Sequence, residues 1–487
     1  MRETIIKFAK KLKSKDLGIF YVIRYTKTGS TYMSFVNDKL DKLLSSKDEG
    51  LASGCFSQEG YMGFATTNIC DNNSIDILLE NTRKSMSIAR ENNFEKVVGW
   101  KCLTKCKNFT DNSELFDEQF KRQDVESFIL DIYKKIKAIY SEKSYSISLN
   151  SFLSLVKKHK LIINSNNIVA EYAYPYTQTG FMLTITKNSL TQSYYVSKDA
   201  KLWEIFNSKT EIIDEFKNVK SRLLNWFDAK KVEPGKYNLI LDGSVASVFV
   251  HEAFGHTAES DTIKLESPLA RNGKIRKGEK FTKSYINIYD ETIKQRRSYT
   301  PIGEYGNVRN RTDIIKNGRI NDFLSDLSTY DEIPNATERI ESFDDIPISR
   351  MACTVLSLSG NTFDLINDPQ FNKVQDIYQE LLEKNVIKKT EKYLYLINSG
   401  GGTVLAQIGT FQFSSSFTYE LYMGKTMLYK GVSFGGKTLS VLNAIKKGSK
   451  SMYTFSGDCS RLGQYVPVYG MAPRMLILKE QNDIIVN

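Results

Sequence analysis

The chain of 487 residues has little of several features that define particular protein classes. Its 6 cysteines are too few and too scattered for the dense disulfide framework of a small secreted domain. Its 9 prolines and the lack of a repeat of solenoid period exclude a proline-rich linker protein and a repeat array. No stretch approaches the ~18 consecutive apolar residues of a transmembrane helix. The composition therefore predicts a globular protein with no membrane partner.

The N-terminal segment, residues 1–13, places apolar side chains at helical spacing between lysines. It lacks the continuous apolar stretch and the small-residue cleavage site of a signal peptide. We expect a surface amphipathic helix and a cytoplasmic protein, which agrees with the scarcity of cysteine.

The formal net charge is +11, and this excess of cations is spread along the whole chain. Short basic runs, such as residues 294–297 (KQRR), are isolated. A protein that binds nucleic acid usually gathers its cations on one face or along one helix. The even distribution favours a solvated basic surface, so we predict no nucleic-acid partner.

The spacing of apolar residues indicates both helices and strands in the first half of the chain. Runs rich in β-branched and aromatic residues, separated by turn signals, predict β-structure over residues 18–67 and 144–200. Apolar residues near helical spacing predict helices at residues 75–90, 114–141 and 201–226.

A sharp break at Glu233-Pro234-Gly235 separates this half from a second one, which is mostly strands and loops. The chain is long enough for two domains. We predict an α+β protein, with an N-terminal α/β domain over residues 1–228 and a C-terminal domain over residues 229–487. The C-terminal domain is predicted to be mostly antiparallel β and to carry one apolar helix that begins at Val245, with Ser244 as its cap.

Histidine is also scarce, with 3 in the chain, yet two of them, His251 and His256, lie within six residues. Glu252 follows the first directly. Neutral histidine is the commonest metal ligand, and a glutamate beside a metal can accept a proton from water. Glu259 and Asp261 come next and are candidates to orient a ligand imidazole. This pattern favours a metal site over two structural histidines near a helix end.

The spacing of the two histidines sets a geometric condition on that site. A spacing of four residues, as in His-Glu-x-x-His, places both imidazoles on one helical face. A spacing of five turns a regular helix by ~500° and leaves the rings ~140° apart. We therefore predict that the helix is broken or bulged near Gly255. An uninterrupted α-helix through His256 would contradict a shared metal.

Residues 243–261 (GSVASVFVHEAFGHTAESD) resemble the signature of the TldD/PmbA metallopeptidases, His-Glu-x-x-x-His followed by Glu-x-Asp. Residues 459–468 (CSRLGQYVPV) resemble the family's C-terminal Cys-Gly-Lys-x-Gly-Gln-x-x-Pro-Val segment, with Ser-Arg in place of Gly-Lys. Residues 348–351 are similar to its Pro-x-Pro-Arg-Met segment, and residues 400–402 to its glycine-rich strand entry. The order and spacing of these segments hold over nearly the whole chain.

The resemblance implies a zinc-dependent peptidase whose metal is held by His251, His256 and Cys459, with Glu252 as the general base. It places the metal-binding helix in the C-terminal domain. The substrates it implies are unfolded peptides or leader segments of precursor peptides, bound as an added β-strand. It also implies a dimer, either of two like subunits or with a related TldE/PmbA-like subunit.

Two further groups are candidates for substrate binding. Arg350 is suited to bind a substrate carboxylate bidentately, and a structural ion pair is the alternative. Gly400, Gly401 and Gly402 would let a peptide backbone approach closely, and a tight turn or bulge at a strand start is the alternative.

The alternative function is a non-hydrolytic, peptide-binding subunit of a related heterodimer with a vestigial metal site. Such a subunit would be expected to have lost a metal ligand or the glutamate, and this chain keeps all four residues.

Overall fold

The computed structural model describes residues 19–105, 107–111, 121–294, 296–327, 335–368 and 372–487. The helix predicted over residues 1–13 and the first part of the helix predicted over 114–141 lie outside these ranges. Helices and mostly antiparallel sheets both occur over the described ranges, which confirms the α+β class. Within them, no helix is long and apolar enough to cross a membrane.

The first half of the chain is built on one twisted sheet with the order β3-β2-β1-β5-β6-β4, with β7 also paired to β6. All of its pairings are antiparallel except the one between β4 and β6. A turn in which Gly60 N donates to Ser57 O joins β2 to β3 in an antiparallel hairpin. The strands are β1 (Ile19–Val36), β2 (Lys39–Ser57), β3 (Met62–Thr67), β4 (Phe109–Asp111), β5 (Ser146–Asn164), β6 (Val169–Lys187) and β7 (Leu190–Ala200).

Three helices cover this sheet through apolar faces, and their positions confirm the predicted helices where the structure describes them. They are α1 (Asn72–Glu91), α2 (Arg122–Ile139) and α3 (Lys209–Asn225). Short 3₁₀ segments occupy residues 98–105, 202–208 and 226–228.

The second half is mostly β-structure. Its strands are β8 (Asn238–Asp242), β9 (Ala270–Arg271), β10 (Lys274–Ile275), β11 (Ile286–Glu291), β12 (Thr312–Lys316), β13 (Arg319–Ile320), β14 (Glu338–Arg339), β15 (Ile348–Ser349), β16 (Cys353–Leu358), β17 (Thr362–Phe363), β18 (Tyr393–Leu405), β19 (Thr410–Tyr422), β20 (Lys425–Lys430), β21 (Ser433–Lys437), β22 (Ile445–Ser449), β23 (Met452–Arg461), β24 (Gln464–Pro473), β25 (Met475–Leu478) and β26 (Ile484–Val486). The helices are α4 (Gly243–Val250), α5 (Ser260–Lys264), α6 (Val374–Glu383) and α7 (Thr438–Ala444).

These strands form two larger sheets, with α4 between them. One has the order β13-β12-β11-β16-β24-β23, and the other has the order β17-β22-β25-β8-β18-β19-β21-β26 with β20 added to β19. Helix α4 packs on β23 and β24 of the first sheet and on β18 of the second. Because both sides of α4 are covered, nearly every residue in it is buried. This explains why the sequence is apolar all round the helix before the histidines.

The two halves share a hydrophobic core. One cluster joins Phe216 and Leu223 of α3 to Ile240 of β8, Tyr395 of β18 and Met475 of β25. Packing is therefore continuous across residues 228 and 229, and the division into two domains at that point stays a prediction.

Candidate metal centre

The start of α4 is fixed by two polar side chains. Asp242, the last residue of β8, accepts a hydrogen bond from Val245 N at 2.8 Å, so Asp242 caps the helix. The predicted cap, Ser244, is wrong because the helix begins at Gly243 and Ser244 already lies in its first turn. Its hydroxyl instead donates to Asp242 Oδ1 and accepts from Ser399 N at 2.9 Å. Both side chains thus tie the helix start to β18.

The helix changes its pitch at the histidines. Residues 251–255 form one π-helical turn, and residues 256–258 form a 3₁₀ turn. Hydrogen bonds from i to i+5 bring residues five apart onto one side. The ring centroids of His251 and His256 are accordingly 5.2 Å apart. The predicted interruption of the α-helix is confirmed.

Close packing, and not an unusual backbone conformation, requires a glycine at position 255. Its φ of −58° is ordinary for any residue. A Cβ at this position would overlap the sulfur of Met351, the last residue of the segment at 348–351. Only glycine lets the π-helical turn pack this closely against the loop before β16.

Cys459 of β23, a strand that packs against α4, lies beside the two histidines. Ligand atoms of His251, His256 and Cys459 all lie within 4.8 Å of one another, and Cys459 Sγ is 3.2 Å from His256 Nε2. The three residues are 3%, 6% and 6% exposed. Two imidazoles and a thiolate that converge in this way are a known donor set for catalytic zinc, so these residues fit a divalent transition metal.

The charges of the centre support each other. Burial alone would raise the pKa of Cys459, but the charges and hydrogen bonds of His251 and His256 lower it to about 5. Burial disfavours the charged form of His256, yet Glu259 and Cys459 raise its pKa to about 10. The pocket thus stabilises a thiolate, which is the form of cysteine that binds metals. A cation bound there takes the place of the imidazolium proton.

Glu252 lies beside the two histidines and Cys459 and lines the cavity that they face. Its Oε2 is 3.8 Å from His256 Nε2, and its side chain is 19% exposed. Burial raises the pKa of Glu252 above its ordinary value. A carboxyl group held so close to the candidate metal ligands is suited to accept and return a proton.

A buried network behind the centre fixes His256. The His256 Nδ1 atom lies 2.8 Å from Glu259 Oε2, and Glu259 is fully buried. Arg350 Nε lies 3.5 Å from Glu259 Oε1, and Arg461 Nε lies 3.1 Å from Glu259 Oε2. Asp261 pairs with Arg461 and not with an imidazole, so of the two predicted orienting acids only Glu259 contacts a histidine.

The structure changes the interpretation of Arg350. Its side chain is 0% exposed, and its Nη2 donates to the backbone carbonyl of Cys459 at 2.6 Å. Because every contact of the guanidinium lies inside the protein, the predicted substrate carboxylate has no access to it. The alternative of a structural ion pair is what the structure contains. Arg350 thereby links the cysteine to the glutamate that holds His256.

The three glycines lie on β18, where its pairing with β19 shifts register between Ser399 and Gly402. Gly401 has a φ of +96°, a conformation that glycine adopts without strain. The bulge named as an alternative is therefore present. Gly401 and Gly402 also line the cavity that contains the centre, while Gly400 lies just outside its lining.

The cavity has a volume of about 1000 Å³. Three strand edges border it: β7, β23 and the part of β18 beyond Leu396, where pairing with β8 ends. Helix α3 closes one side through Glu211, Glu215 and Arg222. The sequence contains no local signal for these wall residues, since they come from segments far apart in the chain and meet only in the fold.

Comparisons with known proteins agree with this geometry. A family model described as the PmbA/TldA metallopeptidase C-terminal domain matches residues 234–480. A metalloprotease of Methanocaldococcus jannaschii is 26% identical over 469 residues, which cover 94% of this chain and 95% of that protein. A zinc metalloprotease TldD homolog of Saccharolobus solfataricus is 29% identical over 268 residues, covering 54% of this chain and 55% of that protein.

Two solved structures share the fold over nearly their whole length. A putative modulator of a DNA gyrase from Thermotoga maritima has a TM-score of 0.68 at 14% identity and covers 99% of both chains. TldE from Thermococcus kodakarensis has a TM-score of 0.63 at 13% identity, covering 98% of this chain and 100% of that one.

Proposed function

The chain belongs to the PmbA/TldA metallopeptidase family, and on that premise we propose that it is a zinc-dependent peptidase that hydrolyses unfolded peptides. One observation carries this proposal: the ligand atoms of His251, His256 and Cys459 converge within 4.8 Å in a cavity that Glu252 also lines. A vestigial site, as in a non-hydrolytic partner subunit, would be expected to lack one of these four groups.

In this proposal His251, His256 and Cys459 hold the metal, and Glu252 moves the proton. A bound divalent cation supplies Lewis-acid polarisation of water and of the scissile carbonyl. Glu252 accepts a proton from the attacking water at its carboxylate and returns that proton to the leaving amine nitrogen. The raised pKa of Glu252 suits a group that has to hold a proton between these two steps. Glu259 keeps the His256 Nδ1 atom occupied, so that Nε2 faces the centre.

The cavity also favours a substrate in extended form. The edge of β18 at Gly401 to Val404 faces the cavity, and none of the described strands pairs with it on the side where β8 has ended. A peptide that adds to such an edge is held by main-chain hydrogen bonds, which any sequence can make. A cavity of about 1000 Å³ has room for a few extended residues but not for a folded domain. These features support unfolded peptides or leader segments of precursor peptides as substrates.

We further propose that the chain works as a dimer. The fold shared with TldE supports a partner of the same architecture, which is either a second copy or a TldE/PmbA-like subunit.

The proposal is tested by incubating the purified full chain, loaded with zinc, with unstructured peptides and leader-containing precursors. We expect cleavage products to accumulate in the mass spectrum, to stop when a chelator is added and to return with added zinc. The proposal would be contradicted if no products formed in the presence of zinc, or if the chelator did not stop their formation.

Arg350 gives a prediction about zinc affinity, because it braces both Glu259 and the Cys459 backbone. We expect Arg350→Met to weaken zinc binding by roughly 10- to 100-fold, the usual cost of losing a group that orients a ligand. The affinity is measured by competition with a chromogenic chelator, and the cobalt-loaded protein reports the ligand geometry through its absorption spectrum.

Arg339→Met is the matched control. Arg339 is also buried and donates to the carbonyl of Met351, and no described contact joins it to the three metal ligands. Near-ultraviolet circular dichroism checks that both variants are folded. An equal loss of zinc affinity in the two variants would mean general destabilisation and would refute the bracing role.

A further inference from the structure

The cations in the cavity wall are not all neutralised. Five line it: Lys198, Arg222, Arg296, Arg461 and Arg474. Lys198 pairs with Glu211 at 2.5 Å, Arg461 pairs with Glu259, and Arg474 pairs with Asp368. Among the described residues, Arg222 and Arg296 have no carboxylate partner within 4.0 Å.

The carboxylates of the cavity wall already have other partners. Glu211 and Glu215 contact Lys198, and Asp368 contacts Arg474. Asp242 caps α4, Asp199 accepts from the hydroxyl of Tyr469, and Asp458 accepts from Arg297 at 2.8 Å. The remaining acid of the wall is Glu252, which lies at the candidate metal centre. The described wall therefore offers no free carboxylate to either arginine.

Of the two arginines, Arg222 has more nearby groups that compensate its positive charge. Its guanidinium lies over the rings of Phe417 and Tyr419, at 5.6 Å and 5.9 Å from their centroids. Its charge also acts on Asp242, whose carboxylate lies at the start of α4. In the described part of the chain, the guanidinium of Arg296 lies 5.5 Å from the centroid of the Tyr469 ring, and its charge acts on the buried thiol of Cys353, which is not a carboxylate. Stacking of this kind orients the planar guanidinium and leaves its N–H groups for another acceptor.

The strand register shows where Arg296 lies along the sheet relative to Cys459. Tyr469, on which it stacks, pairs with Ser456 of β23, whereas Cys459 of the same strand pairs with Val466. Three residues along a strand span about 10 Å. Side chains alternate between the two faces of a sheet, so Tyr469 and the guanidinium stacked on it lie on the face opposite Cys459. A peptide added to the outer edge of β23 presents its side chains to both faces at the same rise, so a side chain about three residues from the scissile bond lies on the face of Arg296.

We propose that Arg296 is a subsite for a carboxylate of the bound peptide. The carboxylate comes from an acidic side chain or from the C-terminus of the peptide. A guanidinium pairs with a carboxylate through two parallel hydrogen bonds. The inference rests on the proposed function, because it takes a peptide to be the occupant of the cavity. It assigns to Arg296 the role that the sequence had suggested for Arg350.

The experiment measures peptide binding to the zinc-loaded Glu252→Gln protein, in which cleavage does not deplete the ligand. Fluorescent extended peptides carry Glu or Gln at one position at a time, and each is made with a free and with an amidated C-terminus. We expect one Glu position, or the free C-terminus, to bind about tenfold more tightly than its neutral counterpart, as one added charged contact would give. Adding Arg296→Gln should reduce that preference to twofold or less at unchanged affinity for the neutral peptide.

Arg311→Gln is the control, since Arg311 also lies over a tyrosine ring, that of Tyr289, but pairs with Asp313 and lies outside the cavity lining. It should keep the full preference. Equal binding of charged and neutral peptides, or a preference that survives Arg296→Gln, would overturn the subsite. A preference that disappears with Arg296→Gln, in a chain that cleaves none of the peptides when Glu252 is present, would uphold the subsite and refute the hydrolytic function.

Discussion

Replacing Glu252 with Gln is expected to lower kcat/KM for peptide cleavage by about 100- to 10,000-fold, the range that general acid–base groups contribute. The reason is chemical and not steric, because glutamine keeps the shape of the side chain and loses the carboxylate that takes up a proton. Zinc content should stay at the wild-type level, since the three proposed ligands are unchanged. Steady-state kinetics and elemental analysis of the same preparation check both statements.

Glu211→Gln is the matched control for this substitution. Glu211 of α3 also lines the cavity, but it is paired with Lys198 of β7 and lies outside the group formed by the two histidines and Cys459. We expect its zinc content to be normal and its kcat/KM to change by less than about tenfold, because only a solvent-exposed pair is lost. Wild-type rates in Glu252→Gln would remove the proton-transfer role.

Cys459→Ser should have the second large effect, this time on the metal itself. A serine hydroxyl stays protonated near neutral pH and is a poor replacement for a thiolate whose pKa the histidines lower to about 5. Loss of a group that merely orients a ligand costs 10- to 100-fold in affinity, so loss of a ligand should cost at least about 100-fold. We expect substoichiometric zinc after dialysis and cleavage that recovers only partly in excess zinc.

The control is Cys353→Ser, which makes the same chemical change at another buried cysteine. Cys353 lies on β16 and packs with Val355 and Tyr469, away from the two histidines, and burial raises its pKa. This variant should bind zinc with wild-type stoichiometry even if its free energy of unfolding falls. Unchanged zinc stoichiometry in Cys459→Ser would exclude Cys459 from the coordination shell.

The sequence by itself determined the local chemistry and one condition on the backbone. The pairing of His251 with His256 and the adjacent Glu252 identify the candidate metal chemistry from residue types alone. The pitch of an α-helix is fixed, so a five-residue spacing required an interruption, and the π-helical turn at residues 251–255 supplies it. The alternation of apolar residues likewise predicted the long strands and amphipathic helices, because these patterns reflect which face is buried.

Only the tertiary structure decided what lies around that centre. Asp242 caps α4 because β8 delivers it there, and a sequence window ranks Ser244 as an equally good cap. Arg350 became a buried brace, whereas Arg296 lines the cavity without a carboxylate partner among the described residues. Burial and ion pairing depend on which distant segments pack together, and the walls of the cavity come from β7, α3, β18 and β23. Local sequence specifies the chemical groups, whereas the packing of sheets that are far apart in the chain decides which groups are enclosed, which are paired and which remain free to meet a substrate.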